Sequence, residues 1–394
     1  MAALILGLAS SAGAGQAGST QTPPACVQCH AGEGLSDGGG HDLGPHRELA
    51  CADCHRGAGT YPHEELSRRL CLDCHQPHNE EASGDLHAGV QCTDCHLAGS
   101  GEAPHRLSRV EDQTSCRRCH HQGNKAGASA MVLPPKSVLC LACHTATLSL
   151  ADWPSRIALG LLALGLLGSL GFWLSGGGQG PSPAPGHDHT WRPGAAGKAL
   201  VLDGLMQRRL WRVSPGRWVT HAMIFLPFAA RSAWALTALV LGRWDPAAPL
   251  TQAMLNKNHP AGALFFEITG LMILAGAALA ASRRLSRGAK RLPGLPGPDW
   301  AAMGLMSLVV LSGFITEAAR LAMTGAAAGA SFAFAGAALS RLLPAGPGLQ
   351  GVYGYLWYGH ATCYAAFVAY LPFSRMRHIL LAPLWFALGS GGGR

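Results

Sequence analysis

Hydrophobic and polar positions divide the chain into two unlike parts. From residue 157 onward five long apolar stretches follow one another, at about 157–174, 218–242, 260–282, 300–323 and 351–374. A helix needs roughly 20 apolar residues to cross a bilayer, so each stretch predicts a membrane-spanning helix. Large soluble proteins also bury apolar helices, but five in succession separated by arginine clusters point to a membrane bundle. Residues 20–150 follow neither the helical nor the alternating period. They are rich in Gly, Pro, Asp and His, and a stretch of that length stays unfolded unless something other than side chains fills its core.

Ahead of both parts, Met1 to Ala17 form a short apolar run with the small residues Ala12-Gly13-Ala14 near its end. Such a run resembles the core and cleavage site of a secretory signal, although the basic start is missing. The expected organisation is a signal-like segment over 1–19, an irregular segment over 20–150 and a membrane all-α bundle of five helices over 151–394. A Gly/Pro linker, 176–186, followed by His187 and His189, separates the first two helices.

Composition sharpens this division. The 394 residues are 48% hydrophobic and 13% charged, yet hold 13 Cys and 19 His. Residues 20–150 carry 10 Lys+Arg, 15 Asp+Glu, 12 of the Cys and 13 of the His; from 151 onward the counts are 20, 7, 1 and 6. The net charge of +8 is therefore an acidic Cys/His segment joined to a basic apolar one, which argues against nucleic acid as partner. The basic residues instead encode topology. Arg192, Lys198, Arg208, Arg209, Arg212 and Arg217, then Arg283, Arg284, Arg287, Lys290 and Arg291, then Arg375, Arg377 and Arg394 make 14 on one side, against Arg243, Lys257 and Arg341 on the other. The positive-inside rule puts the 14 in the cytoplasm, and with it the Cys/His segment in the bacterial periplasm, on an inner-membrane protein.

Within residues 20–150 a C-x-x-C-H motif recurs six times. The first comprises Cys26, Cys29 and His30, the second Cys51, Cys54 and His55, and the third Cys71, Cys74 and His75. The fourth comprises Cys92, Cys95 and His96, the fifth Cys116, Cys119 and His120, and the sixth Cys140, Cys143 and His144. Two cysteines at this spacing each form a thioether to a haem vinyl group, and the next residue supplies an axial imidazole. Zinc ribbons pair C-x-x-C motifs without needing a His after each, and disulfides leave the six histidines unexplained. Six covalently attached c haems are expected, and the segment resembles compact multihaem cytochromes c, whose haems fill the core. Candidates for the sixth iron ligands are His41, His46, His63, His78, His87, His105 and His121, several just ahead of a motif; Met131 is the segment's one methionine. Mostly bis-histidine haems follow, which carry electrons and leave no open position for substrate.

The membrane half has its own histidines. His360 and His378 are 18 residues apart, which on one continuous helix places them on a common face about 27 Å apart. His221 starts the second helix at the depth of His378, and facing histidines on two helices hold a haem b within a bundle. Leu371-Pro372-Phe373-Ser374-Arg375 before His378, with His360 upstream, resembles the last helix of the gamma (cytochrome b) subunit of respiratory nitrate reductase. Gly313-Phe314-Ile315-Thr316-Glu317-Ala318-Ala319-Arg320 is similar to the b subunits of heterodisulfide-reductase-like transmembrane complexes. Over roughly 150–390 the resemblance implies a cytochrome b bundle with one or two b haems, exchanging electrons with menaquinone or ubiquinone. His221 and His378 match the ligands of one haem, and His360 matches a ligand of the second. The family's partner for His360 falls at Arg231, and His259 is the candidate replacement by depth.

Four charged residues, Arg231, Glu267, Glu317 and Arg320, fall within the apolar stretches, where charge is costly and marks function. Arginines suit haem propionates, and a carboxylate near a quinone accepts the proton of an oxidised quinol; Glu267 is favoured over Glu317, which has Arg320 at i+3. Cys363 reads as packing. The expected function is quinol:cytochrome c-type electron transfer to a periplasmic donor or acceptor protein. The alternatives are the reverse direction, or an electron-transfer subunit without a quinone site that docks a cytoplasmic iron–sulfur subunit.

Overall fold

The structure, a computed structural model, describes residues 55–56, 67–68, 114–174, 193–245, 248–286, 299–325 and 329–379. Five long helices dominate them: α1 Trp153–Leu174, α2 Pro215–Trp244, α3 Pro260–Leu285, α4 Trp300–Thr324 and α5 Pro347–Tyr370. Each overlies one of the five apolar stretches. Proline opens α2, α3 and α5, at the one position where its missing N–H costs nothing. Asp299 caps α4, its Oδ1 accepting from the Ala302 amide at 3.0 Å, while Oδ2 accepts from the Arg375 amide at 2.9 Å and ties the chain beyond α5 to the start of α4. Burial alone would raise the Asp299 carboxyl, but the amides of Ala302 and Arg375 and the Tyr370 hydroxyl hold it below the ordinary carboxylate value.

Among the described residues, four spans are long and apolar enough to cross a membrane: 153–171, 215–244, 249–285 (the short helix Pro249–Leu255 with α3) and 300–324. α5 lies outside that set because it carries five of the chain's six tyrosines, together with Gln350 and His360. α5 packs between α1 and α4, α2 packs on α3, and α3 touches α4. Ile273, Met306, Val309, Tyr364, Phe367 and Val368 form the core between them. Leu164, Leu167 and Leu170 on α1 and Leu236 and Val240 on α2 stay exposed. An outward apolar face of this extent on helices that satisfy their own backbone belongs against lipid, so this half of the chain is a multi-pass membrane domain.

The last apolar stretch departs from expectation. Its composition predicts helix to 374, but α5 ends at Tyr370 and two 3-10 turns follow, Leu371–Phe373 and Arg375–Arg377. Pro372 has no N–H to continue the helix, and Ser374 Oγ accepts from the Met376 amide at 3.1 Å to start the second turn. His378 therefore shares no continuous helix face with His360, and the 27 Å spacing along one axis does not apply.

The chain divides into two compact units. One contains an antiparallel pair of two-residue strands, His55–Arg56 with Ser67–Arg68. The other contains Cys116–Arg394, so the fifth and sixth C-x-x-C-H motifs belong with the helices. The first four motifs lie outside the described residues, apart from the backbone of His55. They comprise Cys26, Cys29 and His30, then Cys51 and Cys54, then Cys71, Cys74 and His75, then Cys92, Cys95 and His96. Residues 1–19, the 176–186 linker, His187, His189 and the candidate ligands His41, His46, His63, His78, His87 and His105 also lie outside the described residues.

Candidate functional site

Both described motifs adopt the same backbone turn. In the fifth, the amides of Cys119 and His120 donate to the Cys116 carbonyl at 3.2 and 2.9 Å; in the sixth, those of Cys143 and His144 donate to the Cys140 carbonyl at 2.9 and 3.1 Å. One helical turn brings residues three and four apart onto one face, which groups the second sulfur and the imidazole with the first sulfur. Burial pushes the Cys143 thiol up to about 11 against the opposing pull of the Arg231 charge, and burial, reinforced by the charges of Lys136 and His360, holds His144 well below its ordinary value. A neutral imidazole keeps the lone pair that a metal requires.

The sixth motif is fixed to the bundle at several points. Tyr364 on α5 donates its hydroxyl to the Leu139 carbonyl at 2.7 Å, and Ser232 on α2 donates to the Ala142 carbonyl at 2.7 Å. Leu141 and Ala146 pack on Ala235 of α2. Behind them, Asp152 accepts from Ser137 Oγ and, at 2.8 Å, from the Ser155 amide. The fifth motif's segment is held further along α5, where Gln350 accepts from the Gly123 amide at 2.8 Å and donates to the Asn124 carbonyl at 2.9 Å.

Two pairs of histidine rings result. His221 and His378 have ring centres 6.1 Å apart with planes at 41°; His144 and His360 have centres 6.4 Å apart at 28°. In every one of these four, Nδ1 is spent on a nearby oxygen. The partners are Gln207 Oε1 for His221 at 2.9 Å, the Arg375 carbonyl for His378 at 3.0 Å, the Thr145 carbonyl for His144 at 3.2 Å and Ser312 Oγ for His360 at 3.0 Å. Ser312 in turn donates to the Val309 carbonyl at 3.0 Å, which leaves its oxygen to accept the His360 proton. A histidine that donates through Nδ1 presents a bare Nε2, the arrangement that orients metal-bound imidazoles. Among the described residues no group of three or more His, Cys, Asp or Glu side chains converges on a metal position; histidines in twos suit an iron whose remaining ligands come from a porphyrin.

The sequence-predicted residues fall into three groups. The rings of His221 and His378 stand side by side. His360 faces His144, and among the described residues no ring contact joins it to His259, whose Nδ1 is buried at the start of α3 without a hydrogen bond. His121 sits exposed next to the fifth motif, and His120 points Nδ1 at the Ser129 carbonyl at 2.8 Å. Arg231 donates Nε to Thr269 Oγ1 at 2.7 Å and Nη2 to the Phe266 carbonyl, with its guanidinium 5.3 Å from the centre of the Phe266 ring. Glu267 is 3% exposed, and its Oε1 accepts from the amides of Ala335 and, at 3.3 Å, Gly336, at the start of the short helix Phe334–Ser340. Its Oε2 accepts no hydrogen bond among the described residues. Glu317 and Arg320 form a two-pronged pair on α4, at 2.7 and 3.2 Å, as their i,i+3 spacing suggests. Gln207, Ser312, Tyr364 and Ser232 carry no motif signal in the sequence; only Ser312, beside the Gly313-Phe314 run, stands close to one.

No known family profile matches the chain, and no solved structure matches it. It is 28% identical over 196 residues to the E subunit of the dihydromethanophenazine:CoB–CoM heterodisulfide reductase of Methanosarcina barkeri, which is 49% of this chain and 66% of that protein. The Methanosarcina mazei protein of the same name is 28% identical over 203 residues, 50% of this chain and 68% of its own length. The chain thus spans about two thirds of the curated relatives it matches, and half of the chain is similar to a heterodisulfide reductase subunit.

Proposed function

We propose that the chain is a membrane-bound quinol:cytochrome c-type oxidoreductase. In this reading His221 and His378 hold a haem b in the bundle, the six C-x-x-C-H motifs hold haem c, and electrons pass between menaquinol or ubiquinol and a periplasmic protein. Bound haem supplies reversible one-electron chemistry, and histidine on both faces closes the iron to substrate. The observation that carries the reading is the His221–His378 pair, with rings 6.1 Å apart and Nδ1 anchored on both. Ser232, which holds the sixth motif, stands eleven residues beyond His221 on α2, or about 16 Å along the helix.

A quinol that loses two electrons also releases two protons, and Glu267 takes one of them at Oε2 while the other goes to solvent. The amides of Ala335 and Gly336 fix the carboxylate through Oε1, which keeps it oriented, and the neighbouring Glu317 is already neutralised by Arg320. Replacing either His221 or His378 by Ala abolishes the b-type absorbance while the c-type absorbance remains; persistence of the b band refutes the ligand pair. Glu267→Gln slows quinol-dependent reduction of the c haems by roughly 100-fold, the usual contribution of a positioned proton acceptor, and an unchanged rate removes Glu267 from the site.

A second reading has one specific support. The relatives are named as a subunit of a reductase, which favours a pure electron-transfer subunit docked on an iron–sulfur partner. Arg208, Arg209, Arg212 and Arg217 around the start of α2 would face an acidic partner surface on the cytoplasmic side. Quinol-dependent reduction that requires an added subunit selects this reading. Resolved midpoint potentials of the b and c centres set the direction of flow.

A further inference from the structure

We infer that His360, on α5, is the second axial ligand of the haem attached at Cys140, Cys143 and His144, and not a ligand of a second haem b. The inference rests on the proposed reading of C-x-x-C-H as a haem c site. A metal–imidazole bond of about 2.0 Å and roughly 1.1 Å from nitrogen to ring centre place two trans imidazoles about 6.2 Å apart. His144 and His360 stand at 6.4 Å, and His221 and His378, the pair assigned to haem b, at 6.1 Å. The two pairs also share their anchoring, with Nδ1 bonded to an oxygen on all four rings and Nε2 left for iron.

The surroundings agree. His360 has α4 against its flank at Gly313, where a Cβ would stand 3.4 Å from His360 Cε1, so the helix backbone runs close beside the ring and holds its orientation. The segment that delivers His144 is bonded to α5 through Tyr364 and to α2 through Ser232, the helices that would have carried a second b haem. On α2 the expected ligand position is Arg231, whose guanidinium is held by Thr269 and Phe266 and whose charge acts on Cys143. A cation beside the sixth motif suits a haem propionate. The sixth haem is thus the junction between the two halves of the chain: tethered through the periplasmic segment and ligated from α5. The bundle then holds one haem b.

The test uses the full chain, matured with haem c in membranes, and two variants. In His360→Ala the peptide bearing Cys140 and Cys143 keeps its covalent haem by mass, the b-type absorbance is unchanged, and one c haem of six turns high-spin and binds carbon monoxide; added imidazole returns it to low spin. In His360→Met, which keeps the site filled, one c haem acquires a His/Met signature and a raised potential. Loss of b-type absorbance in either variant, with all c haems still low-spin, overturns the inference and restores His360 to a second haem b. An unmodified Cys140/Cys143 peptide in the unsubstituted chain fails at the earlier step, the haem c reading itself.

Discussion

Gln207 illustrates how much of the site depends on single side chains away from any motif. It has φ 52°, a left-handed backbone that non-glycine residues rarely adopt, and is buried at the start of the short helix Arg208–Val213 that precedes α2. Its Oε1 accepts the His221 Nδ1 proton. Partners of this kind alter metal retention by 10–100-fold when removed. Gln207→Leu is therefore expected to lower b-haem occupancy by at least about 10-fold. Gln207→Gly, which relaxes the backbone but also removes the acceptor, behaves the same way if Oε1 is the cause. Gln207→Glu places a carboxylate on the ring, makes the imidazole a stronger donor and shifts the b midpoint potential downward; a redox titration of the three variants checks both expectations. The motif cysteines and the histidines that follow them are legible in the sequence because their chemistry is local, a short pattern repeated along the chain. Gln207, Ser312 and the His144–His360 pair are not, because each acts through a contact made between distant segments.

At the scale of elements, the five apolar stretches translate into five helices with ends displaced by a few residues, since apolar periodicity marks a helix better than its caps do. The exception is at Pro372, where composition carries the stretch to 374 but the missing N–H ends α5 at Tyr370. That break redirects the chain and brings His378 opposite His221. α1 lies close against the break, since a Cβ on Gly165 would stand 2.7 Å from Pro372 Cβ. A second element, the loop 136–150, reads in sequence as part of an irregular soluble segment; hydrogen bonds from α2 and α5, invisible to any local pattern, attach it to the bundle. Tyr364→Phe removes the donor from a part-buried carbonyl, a loss of about 1–3 kcal/mol. Amide exchange at Val138 and Thr147, which bond across this loop to Ser149 and Lys136, is expected to quicken roughly 10-fold or more. Unchanged exchange there would mean that Tyr364 does not hold the loop.

For the whole molecule, two excesses in composition, apolar residues and Cys/His, fall in separate parts of the chain. The apolar excess builds helices whose leucine-rich outer faces belong in lipid, and four of the histidines in the described part of the chain come as two opposed pairs. A single haem b and six c haems is the stoichiometry this arrangement predicts, and a pyridine haemochrome ratio of six to two would require a ligand pair beyond those two. Half of the chain is similar to a heterodisulfide reductase subunit, and the haem c reading of the C-x-x-C-H motifs does not rest on that similarity. The central claim is that this one chain links the quinone pool to its c haems. The most direct measurement is c-type absorbance in liposomes containing only the purified chain, after addition of a reduced quinol analogue. Prompt reduction of the c haems, lost in His221→Ala and His378→Ala, is the predicted result; c haems that stay oxidised until a second subunit is supplied would contradict it.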